Sequence, residues 1–255
     1  MFTPEEREQL RRSLVERGRV DGRVIALAHI GSAALERLDR WSDIDLAVCV
    51  AEEGRLPEVV DDWTAALYSS HEAVTHHDVI SDNILYRVFL LRNTLQVDIS
   101  FWTPPTFGPK GKAFRLIFGT SRAARDVEAP AASSLIGAAW LHALHLRSSL
   151  ARERSWQAHY MLNGLRDRIF ALACLRHGLP PHQGRGWDEL PAPVTEELSA
   201  TLTGSLDRAA LLGAFAAAVD ALLMEVRFVD RSLADALRIP LQSLVDSIDQ
   251  PSGCD

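Results

Sequence analysis

The chain has 255 residues, 47% hydrophobic and 24% charged, an ordinary globular composition for one large domain or two small ones. A net charge of −7 and a pI of about 5.7 lack the basic footprint of a protein that binds long nucleic acid, so that partner class is not expected. Cys49, Cys174 and Cys254 show no paired spacing, and no apolar run reads as a membrane span, so reduced thiols and a cytoplasmic setting are expected.

The chain opens on a helix over residues 4–17. Thr3 and Glu6 form a capping box, Pro4 fits the first helical position, and Leu10 and Leu14 recur at helical spacing. This is a helix start and not a signal peptide. Residues 24–30 are an apolar run of buried-strand length, ending at Gly31-Ser32, with a helix expected from Ala33 onward. Glycine allows close backbone approach, and Ser32 can cap the helix while offering a hydroxyl. Strand, Gly-Ser and helix N-terminus together form a natural seat for phosphate oxygens.

Trp41-Ser42-Asp43-Ile44-Asp45-Leu46 follows. Ile44, Leu46, Val48 and Val50 alternate with Asp43, Asp45, Ala47 and Cys49, a strand period that sends both carboxylates to one face. Alternate residues on a strand lie roughly 6–7 Å apart, close enough for two carboxylates to grip a divalent cation. The competing reading is a solvent-facing pair at a strand edge, which the scarcity of Asp in strands disfavours.

A helix over residues 58–70 carries Val59, Trp63 and Leu67 on one side, and His76-His77-Asp78 reads as a loop. Strands over residues 84–91 and 95–101 flank a turn at 92–94. In the second strand Leu95, Val97, Ile99 and Phe101 share one face, and Gln96, Asp98 and Ser100 the other. Laid beside the strand of Asp45, Asp98 becomes a third carboxylate on the polar face. Three carboxylates next to a phosphate-binding turn match the needs of metal-assisted nucleotidyl transfer.

Gly31-Ser32, ten residues, Asp43-Ile44-Asp45 and the later Asp98 resemble the DNA polymerase β-type nucleotidyltransferase superfamily, whose small bacterial members adenylylate aminoglycoside and lincosamide antibiotics. The resemblance spans roughly residues 24–101. One departure is Glu36-Arg37, in a region where many antibiotic-modifying members carry a glycine. The resemblance implies an α/β (α+β) nucleotidyltransferase domain with a small mixed sheet over residues 1–108, a junction over 109–132, and an all-α helical bundle over 133–255. It further implies Mg²⁺, two ions, held by Asp43 and Asp45, with Asp98 as third ligand or base. Gly31 and Ser32 would hold the β- and γ-phosphates of ATP, the co-substrate. The acceptor would be a hydroxyl of a small molecule. Two alternatives stay open: a protein acceptor, and a nucleotide-binding module without turnover.

Residues 103–111 break regular structure, and Lys110, Lys112 and Arg115 crowd this region, as triphosphate partners or as a solvated loop. Beyond it, helices are expected over residues 133–152, 155–177, 209–229 and 233–245, with a loop over 178–193 and a frayed tail over 250–255. An Ala-rich stretch over 214–221 suits tight helix packing. Trp156, Tyr160, Asn163 and Asp167 form one stripe, read either as a wall of the acceptor pocket or as helix packing and surface. His142 and His145 share a helix but lack the further ligands of a zinc site.

Overall fold

The computed structural model describes residues 1–124 and 128–248. The chain divides into two compact units, Met1–Val127 and Glu128–Asp255.

In the first unit, α1 (Pro4–Val20) starts at the expected capping box: the Glu6 N–H donates to Thr3 Oγ1 at 3.2 Å and the Thr3 N–H to Glu6 Oε2 at 2.9 Å. Strand β1 (Val24–Ile30) leads into α2 (Gly31–Ala34), β2 (Ile44–Val50), α3 (Leu56–Ser70), β3 (Ala73–Ser81), β4 (Ile84–Leu91), β5 (Gln96–Trp102) and β6 (Phe114–Phe118). The sheet runs β3-β4-β5-β2-β1-β6. It is mixed: β2 and β5 are parallel, and the other neighbours are antiparallel.

The strand periods separate two faces. On one, Ile44, Leu46, Val48, Val97, Ile99 and Phe101 pack under Leu10 and Leu14 of α1 and Val59, Trp63 and Leu67 of α3. This is the apolar face read from alternation, and its burial supplies most of the driving force for the unit. The opposite face is floored by small side chains, Ala26, Ala28, Ala47 and Cys49, with Ile84, Trp102 and Phe107 to one side. Asp45 and Asp98 belong by parity to this second face.

Four expectations in this unit are corrected. The helix expected from Ala33 is the single turn of α2, after which the chain turns through Glu36 at φ 57°. Ser32 does not cap it, since Ile30 occupies the cap position and no side chain bonds there. His76-His77-Asp78 lies inside β3 rather than in a loop. As an edge strand β3 buries no complete face, which erases the hydrophobic alternation that marks strands. Residues 109–132, expected as a junction, contain β6, which completes the other edge of the sheet by pairing with β1.

The second unit is helical: α4 (Ala132–Ala151), α5 (Ser155–Arg176), α6 (Ala192–Ser199), α7 (Arg208–Val229) and α8 (Arg231–Asp246). Leu146, Leu162, Leu165, Ile169, Phe215 and Leu222 form its core. Ala214, Ala218 and Ala221 are buried along α7, as the Ala-rich stretch suggested. Arg176 donates to both carboxylate oxygens of buried Glu225 at 3.0 and 2.6 Å, the paired geometry that makes a buried charge tolerable.

Helix α6 begins at the end of the stretch read as a loop and runs beyond it, an element not expected from the sequence. Contrary to the expectation of no apolar span, α7 is long and apolar enough to cross a membrane by length and composition, although 50% of its 18-residue apolar window is buried inside the unit. Cys49 in β2 and Cys174 in α5 are buried, free thiols. Cys254 and the tail expected over 250–255 lie outside the described residues.

Candidate active site

Strand pairing brings the predicted carboxylates together. In the parallel β2–β5 pair, Asp45 lies directly opposite Asp98, and Ile44 opposite Val97. Neighbouring strands are about 4.8 Å apart, so the two aspartates project side by side from one face. The register is pinned two residues on: buried Ser100 donates its hydroxyl to the Leu46 carbonyl at 3.1 Å and accepts from Trp102 Nε1 at 2.8 Å. Asp43 sits one residue ahead of β2, where Gln96 Nε2 donates to its Oδ2 at 3.3 Å.

The electrostatics follow from this crowding. Asp98 Oδ1 is buried without a hydrogen-bond partner among the described residues. Burial, reinforced by the nearby Asp43 charge, pushes the Asp98 carboxyl up to about 6 from an ordinary 3.8.

The Gly-Ser turn closes the site from β1. Gly31 has φ 61°, and a Cβ built there would fall on the Asp45 carboxylate. The glycine therefore serves twice, as left-handed backbone and as room for Asp45. Beside it, Ser32 Oγ is buried and has no hydrogen-bond partner among the described residues. Gly31→Ala should destabilise the protein by about 1–2 kcal/mol and displace Asp45, read as a lower melting temperature together with lost turnover. An alanine variant with wild-type values of both would remove Gly31 from the site.

Two of the three basic residues, Lys110 and Arg115, are committed to surface pairs. Lys110 Nζ donates to Asp82 at 2.8 Å, and Arg115 donates to Glu36 at 3.0 Å. In the helical unit, Trp156 and Tyr160 are 77% and 70% exposed, which removes the packing alternative for both. Asp167 is exposed. Asn163 is held within α5, accepting from Arg166 at 2.6 Å and facing His159 Nε2 at 3.2 Å. One residue had no sequence signal at all: buried Arg7 of α1 donates through Nη1 to the carbonyls of Asp39 and Ser42, immediately ahead of Asp43.

Magnesium is the cation implied by the resemblance. Among the described residues no three His, Cys, Asp or Glu side chains are gathered closely enough to hold a metal ion. The donor chemistry nevertheless fits: three hard carboxylates, one with an unsatisfied buried oxygen whose charge a cation would stabilise. For Asp45 and Asp98 the strands already supply the spacing, leaving side-chain rotation to complete it.

The sequence matches no protein-family model and no curated protein. Its structure is similar to a crystal structure of an aminoglycoside 6-adenyltransferase from Bacillus subtilis, with a TM-score of 0.41 and 12% identity, over 94% of this chain and 98% of that chain.

Proposed function

We propose that this protein is a metal-dependent nucleotidyltransferase that moves a nucleoside monophosphate, AMP from ATP, onto a hydroxyl of a small molecule. The observation that carries this reading is the in-register pair Asp45–Asp98, with Asp43 close by and Gly31 seated against Asp45. A bound magnesium would supply charge neutralisation at the triphosphate. Asp43 and Asp45 supply its carboxylate ligands. The Gly31-Ser32 turn holds phosphate oxygens, through its backbone and the Ser32 hydroxyl, which has no partner among the described residues. Asp98 either completes the ligand set or accepts the proton of the attacking hydroxyl.

The acceptor contacts are assigned to α5, through the exposed Trp156, Tyr160 and Asp167, with Asn163 fixed beside them. Exposed aromatic rings that share a helix face with a carboxylate suit a polyhydroxylated or cationic small molecule. Asp167→Ala should raise the acceptor KM roughly tenfold and leave the ATP KM unchanged, because the lost contact belongs to one substrate only. An unchanged acceptor KM would remove α5 from the acceptor site.

Pyrophosphate release from ATP and Mg²⁺, measured across aminoglycosides, lincosamides, nucleosides and candidate protein acceptors, tests the whole reading. Release that depends on one small molecule supports it. Release only with a protein acceptor, or with none of them, refutes the small-molecule assignment.

A further inference from the structure

Arg7 is 5% exposed in the first turns of α1, whereas Arg12 and Arg19 of the same helix reach toward solvent and Arg11 bonds Glu8 and buried His29. A guanidinium at that depth is costly unless its donors are used; Nε of Arg7 is buried with no hydrogen-bond partner among the described residues, so its bonding runs through Nη1. Its Nη1 donates to the Asp39 carbonyl and, at 3.0 Å, to the Ser42 carbonyl, 32 and 35 residues along the chain. Those two carbonyls are the ends of one tight turn. Within it, the Trp41 N–H and the Ser42 hydroxyl both donate to Asp39 Oδ1, at 2.8 and 2.9 Å, and the Asp39 N–H donates to Ser42 Oγ at 2.9 Å. The turn is a self-bonded unit, exposed at Asp39, Arg40 and Trp41, and Arg7 ties it to the body of the fold. Asp43 is the next residue, and β2 begins only after it.

We propose that Arg7 is a positioning residue for metal binding. By fixing the Ser42 carbonyl it sets the height of the Asp43 backbone, and so the reach of that carboxylate toward Asp45 and Asp98. The proposal rests on the reading of these aspartates as a cation site. Strand pairing holds Asp45 and Asp98, whereas Asp43 lies ahead of the ladder with one 3.3 Å side-chain bond of its own. Metal ligation tolerates errors of only about 0.2 Å, so the residue outside the ladder is the one that needs an anchor.

The test is Mn²⁺ binding to the full-length protein, by titration calorimetry, for wild type, Arg7→Met, Arg7→Lys and Asp45→Asn, each checked for folding by circular dichroism. Arg7→Met keeps the apolar stem and removes the donors, and should weaken Mn²⁺ roughly 10–100-fold, the usual cost of losing a group that orients a ligand. Lysine can still donate to both carbonyls and should bind within about threefold of wild type. Folded Arg7→Met with wild-type affinity, while Asp45→Asn loses binding, would overturn the proposal alone. Equal losses in folded Met and Lys variants would also overturn it. Wild-type affinity in Asp45→Asn would defeat the cation site itself, and the proposal with it. If Arg7→Met fails to fold, Arg7→Gln carries the same comparison, and failure of both to fold makes Arg7 a structural residue only.

Discussion

Asp45→Asn should reduce nucleotidyl transfer roughly 10³-fold or more while leaving the fold intact, because it removes charge worth several kcal/mol to a bound cation. Its neighbours explain why the loss is so large. Asp45 faces Asp98 across the parallel pair and lies where a Gly31 side chain would be, so a displaced ligand has no alternative seat. The isosteric amide keeps the packing. Without metal it relieves repulsion among three carboxylates, so the melting temperature should stay the same or rise. Measuring kcat with circular dichroism on one preparation checks both halves. Near-normal turnover would end the assignment, and a collapsed fold would make Asp45 a structural residue.

Asp98→Asn should cut turnover by roughly 10²–10⁴-fold, the usual contribution of a general base. If Asp98 acts chiefly as base, affinity for a non-hydrolysable ATP analogue with Mg²⁺ should change little. If it acts chiefly as ligand, affinity should fall with turnover. The same variant has a stability signature. The folded carboxyl titrates at about 6 against an ordinary 3.8, so the folded state holds the proton more tightly. That contribution is complete below about pH 3.8 and is lost as pH rises through 6. Metal-free Asp98→Asn should therefore be more stable than wild type at pH 7.5 by about 1–3 kcal/mol, a margin that vanishes near pH 4. Buried His29 works in the opposite sense: burial, then the charges of Arg11 and Arg115, depress it to about 4, so stability falls as pH drops from 6.5 through 4. Both proteins carry His29, and the wild-type-minus-variant difference removes it. A difference that does not vary with pH would contradict the raised carboxyl.

Much of this site was legible because its parts are periodic. The alternation of Ile44-Asp45-Leu46 and of Val97-Asp98-Ile99 assigned each carboxylate to a face. The structure adds that the two strands are parallel neighbours, with Asp45 opposite Asp98. What was missed has no local signature. Strand β3 lies at an edge with most of its side chains exposed, so His76, His77 and Asp78 obscure its pattern. Strand β6 is five residues long and follows a Pro- and Gly-rich stretch that reads as a break. The expected helix after Ser32 ends within one turn because the chain turns back at Glu36 toward β2. Arg7 looks like any arginine of an amphipathic helix, and its role exists only once the turn at 39–42 is folded against it.

The two buried thiols make the protein its own reporter of partial opening. Cys49 lies in β2, four residues beyond Asp45, and burial pushes its thiol up to about 11; Cys174 lies in α5, also raised by burial. Protonated and shielded, neither reacts with an alkylating reagent while its surroundings stay closed. Because one belongs to each compact unit, the modification rate at each position measures how often that half of the molecule opens. With Cys254 replaced by serine, pulsed alkylation read by mass would show whether nucleotide quiets the sheet unit alone or both halves together.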